Sequence, residues 1–193
     1  MFGYAPVKLE DIADYSNGRI DFSELDSENY VGVDNLLQDK LGKNESTCIP
    51  KSGKYTKYNC GDILIGNIRP YLKKIWLSDR VGGTNGDVLA IHPNVKYISS
   101  KFLYYILSAD KFFDYDMKFA KGAKMPRGDK SAVMNYTFIL PTLEEQERIV
   151  AILDKFDTLC NDLSNGLPAE IEKRQKQYEY YRDKLLTFKK LEM

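Results

Sequence analysis

ILPTLEEQERIVAILDKFDTL, Ile139 to Leu159, divides the chain into two kinds of sequence. Ile139 and Leu140 end a short apolar run, Tyr136 to Leu140, that reads as a strand stopped by Pro141, which has no backbone donor for a ladder. Thr142 is then placed to cap a helix, and Glu145 three residues later completes a capping-box pattern. Beyond it, apolar or aromatic residues fall at Ile149, Leu153, Phe156, Cys160, Leu163, Leu167, Ile171, Tyr178, Tyr181, Leu185 and Phe188, with Arg174 as a polar member. Their steps of four and three make a heptad seam with one stutter, between Leu167 and Ile171.

Gly166 and Pro168 sit beside that stutter. The seam continues past them, which favours one long helix kinked at Pro168 over two helices joined by a turn. Such a helix from Thr142 to Lys190 reaches about 70 Å, more than a domain of this size can cover. Its stripe therefore calls for another chain, and a second copy is the simplest partner. The alternative is a helical pair folded back on the preceding domain.

The first 141 residues are aromatic, glycine-punctuated and mixed, and predict a small α+β domain. Val7 to Tyr15 reads as a short helix, and Tyr30 to Val33, Asp62 to Ile68, Lys74 to Leu77 and Asp87 to His92 read as strands. Gly82 to Gly86 reads as a flexible loop. Ser99 or Ser100 can cap a single helix running to Met117 on the stripe Phe102, Leu103, Ile106, Leu107 and Phe113.

A hydrophobic content of 43% and a charged content of 29% fit an ordinary globular chain, neither disordered nor membrane-embedded. No apolar run is long enough to span a bilayer, and Met1 to Leu9 has no basic stretch followed by an apolar one, so a cytoplasmic protein is expected. Cys48, Cys60 and Cys160 form no C-x-x-C pair, and His92 is the sole histidine, so no metal site is expected. There is no phosphate-binding glycine loop, dinucleotide fingerprint or nucleophile elbow. Asp114 and Asp116, two apart on a helix, point away from each other. A binding protein without catalysis is expected.

The net charge of zero conceals an uneven distribution. Residues 1–42 carry three basic and nine acidic groups, net −6, whereas 43–80 carry eight and three, net +5, and 111–130 carry six and three, net +3. The basic groups gather as Lys51, Lys54 and Lys57 with interleaved tyrosines, as Arg69, Tyr71, Lys73 and Lys74 around Pro70, and as Lys121, Lys124, Arg127 and Lys130 around Gly122. All are expected in loops. Cations on loops of a rigid scaffold suit a duplex, since phosphates reward positive charge and loop side chains can reach base edges.

The boundary segment carries a family resemblance. ILPTLEEQERIVAILDKFDTL and LPAEIEKRQKQYEYYRDKLL, Leu167 to Leu186, resemble the conserved helical region of type I restriction-modification specificity subunits. KLEDIADYSNGR (Lys8 to Arg19), GDILIGNIRPYLKKIWL (Gly61 to Leu77) and KGAKMP (Lys121 to Pro126) resemble that family's target-recognition domain. The resemblance implies that residues 1–141 form a target-recognition domain and 142–193 a coiled-coil spacer and dimerisation region. It implies a non-catalytic subunit that reads half of a bipartite DNA site and docks methyltransferase subunits holding S-adenosylmethionine. Restriction subunits would add ATP and magnesium. Such subunits usually carry two recognition domains, and no internal repeat is visible here. Two copies with antiparallel helices would restore the twofold. A stand-alone DNA-binding regulator or decoy, and a coiled-coil scaffold, are the alternatives.

Overall fold

A computed structural model of the chain describes residues 6–157 and 176–177. The chain divides into two compact units, Met1–Val150 and Ala151–Met193. The first unit is built on the run Ile63, Leu64, Ile65, Gly66, which forms strand β6 (Ile63–Gly66), every residue of it buried. A strand buried on both faces needs apolar side chains at successive positions, and alternation sends them to different cores. Ile63 and Ile65, with Leu89, Ile91 and Ile75, join Phe102, Leu103, Phe112 and Phe113 in the larger core. Leu64, Val88 and Ala90 join Val31, Leu36 and Tyr58 in a second one.

The sheet between these cores is antiparallel, in the order β2 (Ala13–Tyr15), β9 (Val88–Pro93), β6, β7 (Ile75–Leu77). On one face lie helices α1 (Ser100–Ser108) and α2 (Asp110–Phe119). Across the other face lies a mixed sheet in the order β3 (Arg19–Asp21), β5 (Lys54–Tyr58), β8 (Gly82–Thr84), β4 (Tyr30–Val31), with β4 and β8 parallel. β1 (Pro6–Lys8) pairs with β10 (Thr137–Ile139), so the start of the described chain is tied to the strand that precedes Pro141. Helix α3 (Lys130–Met134) precedes β10. The α+β class read from the sequence stands.

Three local readings are corrected. Val7 to Tyr15 is not a helix: a 3-10 turn, Leu9–Asp11, joins β1 to β2, with Leu9 and Ile12 buried and the Lys8 backbone N–H donating to Asp11 Oδ2 at 3.0 Å. Flanking strand partners outweigh the local helical preference. The helix after Ser99 is interrupted at Ala109, where the backbone is extended (φ −65°, ψ 143°). Continuing the stripe of Leu103 and Leu107 by three or four residues would drive Asp110, Lys111 and Asp114 at the core, and the break re-phases the chain so that Phe112 and Phe113 enter instead. Gly82 to Thr84, read as loop, is a fully buried strand.

A fourth helix, α4, occupies residues 143–157, fifteen residues and the longest among those described. Its capping box is half made. The Glu145 N–H donates to Thr142 Oγ1 at 3.4 Å, but the Glu145 carboxylate accepts from Arg148 at 2.6 and 2.7 Å instead of turning back to the cap. Within the first unit, Ile149 and Val150 pack against the larger core. Gln146 is completely buried: its amide donates to the carbonyls of Tyr97 (3.0 Å) and Pro141 (2.9 Å) and accepts from the Ser99 N–H (2.9 Å). In the second unit Leu153 is half-buried and Phe156 exposed. The seam positions Cys160, Leu163, Leu167, Ile171, Tyr178, Tyr181 and Leu185, and the kink at Pro168, lie outside the described residues. Among the described residues no helix is long and apolar enough to cross a membrane.

Candidate nucleic-acid interface

The segment after β6 reverses the chain within eight residues to start β7. Arg69 adopts left-handed backbone (φ 53°), Pro70–Leu72 make a 3-10 turn with Pro70 buried at its first position, and Lys73 is again left-handed (φ 50°). The Gly66 N–H donates to the Lys74 carbonyl at 3.0 Å and closes the reversal. A second segment meets it: Asp39 (φ 55°) and Lys40 (φ 67°) are left-handed too, and the Lys40 N–H donates to the Lys73 carbonyl at 3.0 Å. Every left-handed non-glycine among the described residues therefore falls on these two segments. Each costs about 1 kcal/mol or more, and such strain persists where surrounding structure holds it, commonly at binding sites.

The third segment is Ala120 to Asp129. Lys121 and Arg127 exchange backbone hydrogen bonds at 2.9 Å across a turn in which Gly122 takes φ 105°, so the glycine- and lysine-rich stretch is a closed loop rather than an open one. Two further bonds fix it to the reversal: the Arg69 N–H donates to the Pro126 carbonyl at 2.7 Å and the Gly128 N–H to the Asn67 carbonyl at 3.1 Å. The structure thus brings together Arg69, Tyr71, Lys73 and Lys74 with Lys121, Gly122, Lys124 and Arg127. Between them lies a cleft of about 270 Å³ lined by Asp34, Arg69, Lys74, Asn85, Asp87 and Met125 among others.

Within this face the cations differ in their engagements. Arg127 Nη2 lies 3.1 Å from Asp87 Oδ1, Lys121 Nζ 2.8 Å from Asp129 Oδ2, and Lys74 Nζ donates to the Val33 carbonyl at 2.7 Å. Lys40 and Lys73 share one carboxylate, Asp110, and hold it well below the usual range, at about 2. Among the described residues neither Arg69 nor Lys124, both exposed, takes part in an ion pair. Lys40 and Asp110 were not singled out in the sequence, because their meeting is a long-range one.

Behind the loop two buried oxygens, Asp116 Oδ1 and Asn67 Oδ1, have no hydrogen-bond partner among the described residues. Both converge on Gly128: a Cβ there would stand 2.5 and 2.8 Å from the Asp116 carboxylate oxygens and 2.9 Å from Asn67 Oδ1, which leaves only glycine room. Burial first, and the nearby Asp129 charge second, push the Asp116 carboxyl up to about 6. Tyr15 donates to the Lys130 carbonyl at 2.9 Å and is pushed upward by burial and by the same two acids.

The remaining basic residues lie elsewhere. Lys54 and Lys57 are on β5, not in a loop, and a three-residue step on a strand sends them to opposite faces. Lys57 lines a separate cavity of about 560 Å³ with Asp14, Ser16, Asn17, Asn59 and His92. There the buried Asp62 carboxylate lies 2.6 Å from His92 Nδ1 and takes the Asn59 N–H at 2.8 Å, fixing the imidazole at the rim. Lys51 precedes that strand and is exposed, and Lys130 opens α3 rather than a loop, behind the Asp129 cap. Among the described residues no cluster of three or more His, Cys, Asp or Glu side chains could hold a metal ion.

Against this geometry stand the likenesses to known proteins. The family model described as Type I restriction modification DNA specificity domain matches residues 1–173. The chain is 41% identical over 108 residues to a type I restriction enzyme specificity subunit of Escherichia coli, covering 56% of this chain and 26% of that protein. It is 35% identical over 138 residues to a putative type I restriction enzyme specificity subunit of Haemophilus influenzae, covering 70% of this chain and 34% of that one. Among solved structures, the HsdS subunit from Thermoanaerobacter tengcongensis superposes with a TM-score of 0.69 at 22% identity, over 91% of this chain and 47% of that chain. The chain spans less than half the length of each of these proteins.

Proposed function

The chain belongs to the type I restriction-modification DNA specificity family, and from that premise we propose that it reads one half of a bipartite duplex DNA target and takes no catalytic step itself. The observation that carries this reading is the convergence of three chain-distant segments, 39–40, 67–74 and 121–128, into one cationic, conformationally strained face. Lys73, Lys74 and Lys121 supply phosphate contacts that set register, and Arg69 and Arg127 are the side chains suited to bidentate contacts with guanine edges. Lys124 and Met125 are both exposed on the loop between Lys121 and Arg127, where they are open to a bound duplex.

Methylation and cleavage belong, in this reading, to partners: methyltransferase subunits carrying S-adenosylmethionine, and restriction subunits carrying ATP and magnesium, in the cytoplasm. The helical region beginning at Thr142 serves as spacer and docking rail. Two copies pair antiparallel helices and present two faces to a target with twofold-related halves. Sedimentation of the isolated chain tests the pairing, with a dimer at tens of micromolar expected; a monomer at that concentration refutes it.

The interface is tested with a variant carrying both Arg69→Glu and Arg127→Glu, titrated with duplex DNA at several salt concentrations. Affinity should fall at least tenfold, roughly 1.4 kcal/mol, and the loss should persist across the salt series, because the lysines assigned to phosphates, which set the log–log salt slope, are still present. Thermal unfolding should move little, since the Arg127–Asp87 pair is exposed. Affinity retained within about threefold, some 0.6 kcal/mol, removes the assignment. Mapping methylated adenines in DNA modified by the assembled complex would then identify the target.

A further inference from the structure

Lys40 and Lys73 approach one oxygen of Asp110, at 2.6 and 2.9 Å. Neither ammonium arrives there by chance of a long surface side chain. Both residues hold left-handed backbone, they are tied by the bond from the Lys40 N–H to the Lys73 carbonyl, and both side chains are about seventy per cent covered. Two ammonium groups held this close repel each other unless an anion stands between them, and partial burial weakens the screening that water would provide. Asp110, at the first position of α2, is by contrast well exposed, so the shared oxygen sits where an external anion can reach it. A non-bridging oxygen of a phosphodiester has the same charge and the same capacity to accept two charge-assisted hydrogen bonds.

We propose that Lys40 and Lys73 form a subsite for a DNA backbone phosphate, occupied in the free protein by the chain's own Asp110, which the phosphate displaces on binding. The subsite rests on the DNA-reading function above and adds Lys40 and Asp110 to it. Asp110 keeps the lysines in place while no DNA is present and lowers affinity for any duplex, whatever its sequence. It is a positioning residue and an attenuator.

The test is a salt titration of the full chain against a fluorescent duplex of random sequence, with Lys40→Asn, Lys73→Asn and Asp110→Asn. Asparagine is chosen for the lysines because it tolerates left-handed backbone. Replacing both lysines should lower the magnitude of the salt slope by about 0.9, the share of one phosphate, and each single variant should lower it by part of that. Asp110→Asn should raise affinity by about fivefold at moderate salt, and that gain should vanish when both lysines are also replaced. Unchanged slopes in both lysine variants overturn the proposal, as does a gain from Asp110→Asn that persists without the lysines, since loss of a repelling charge alone would then explain it. Lys40→Arg and Lys73→Arg should retain the slope and so separate lost charge from lost folding. If the Arg69 and Arg127 reversal removes binding while the lysine variants leave the slope intact, the subsite alone fails. If no variant alters binding, the DNA-reading function fails with it.

Discussion

Gly82→Ala is expected to cost the first unit most of its stability. Gly82 lies opposite Tyr58 in the register of β5 and β8, and a methyl group on it would overlap the Asn29 carbonyl oxygen and the Tyr58 hydroxyl, with Tyr58 Cζ at 2.7 Å. Neither neighbour can retreat. The Asn29 carbonyl accepts the Gly83 N–H at 3.0 Å and the Tyr58 hydroxyl at 2.7 Å, and the Tyr58 ring is fully buried against Trp76. Overpacking against fixed backbone costs more than the usual 1–3 kcal/mol, and a loss of about 4 kcal/mol or more would consume most of a domain's stability. Chemical denaturation followed by far-ultraviolet circular dichroism would measure it. Gly86→Ala, four residues on in the same run, is the control: a Cβ there meets nothing within 4 Å, and its effect should stay within about 1 kcal/mol. A Gly82→Ala protein that unfolds at the wild-type denaturant concentration would remove the packing argument.

The same glycines show what was and was not legible in the sequence. Apolar runs such as Ile63 to Ile65 and Val88 to Ile91 identify the central strands, because a strand buried on two faces has few other compositions available. Gly82 and Gly83 carry no hydrophobic signal, and their role is the close approach of other chain segments, which only the fold reveals. In the candidate site, charge spacing identifies Arg69, Lys73, Lys124 and Arg127, which the fold gathers. It also draws in Lys54 and Lys57, which a strand separates. Lys40 stays hidden inside a segment of net −6. The polar residues that hold the interior, Gln146, Asp62 and Asp116, are indistinguishable in sequence from surface ones, since burial of a polar group is decided by tertiary neighbours.

Asp116 is the residue at which that hidden burial has the largest measurable consequence. Its side chain is 1% exposed, its Oδ1 lacks a partner among the described residues, and its carboxyl is pushed from 3.8 up to about 6. The folded chain therefore holds the Asp116 proton more tightly than the unfolded chain does. Protonation favours the folded state: the contribution is fully present below about pH 4 and is lost as pH rises through about 6. Above that, the folded protein carries a buried charge at a cost on the order of 2–3 kcal/mol. Asp116→Asn removes the charge, keeps the shape, and puts a group that can donate into the space beside Gly128 that Asn67 Oδ1, unpartnered among the described residues, also faces. At pH 7.5 the variant should be more stable by about 2 kcal/mol, raising the unfolding temperature by roughly 4–8 °C. The gain should shrink steadily on acidification and be nearly gone at pH 4, where the wild-type carboxyl is neutral too. Unfolding curves of both proteins across that range decide the matter. A variant less stable than wild type at pH 7.5 would mean that Asp116 is ionised and satisfied in the folded protein by a donor in the space around Gly128, and a gain that does not decline on acidification would mean that the buried charge is not its source.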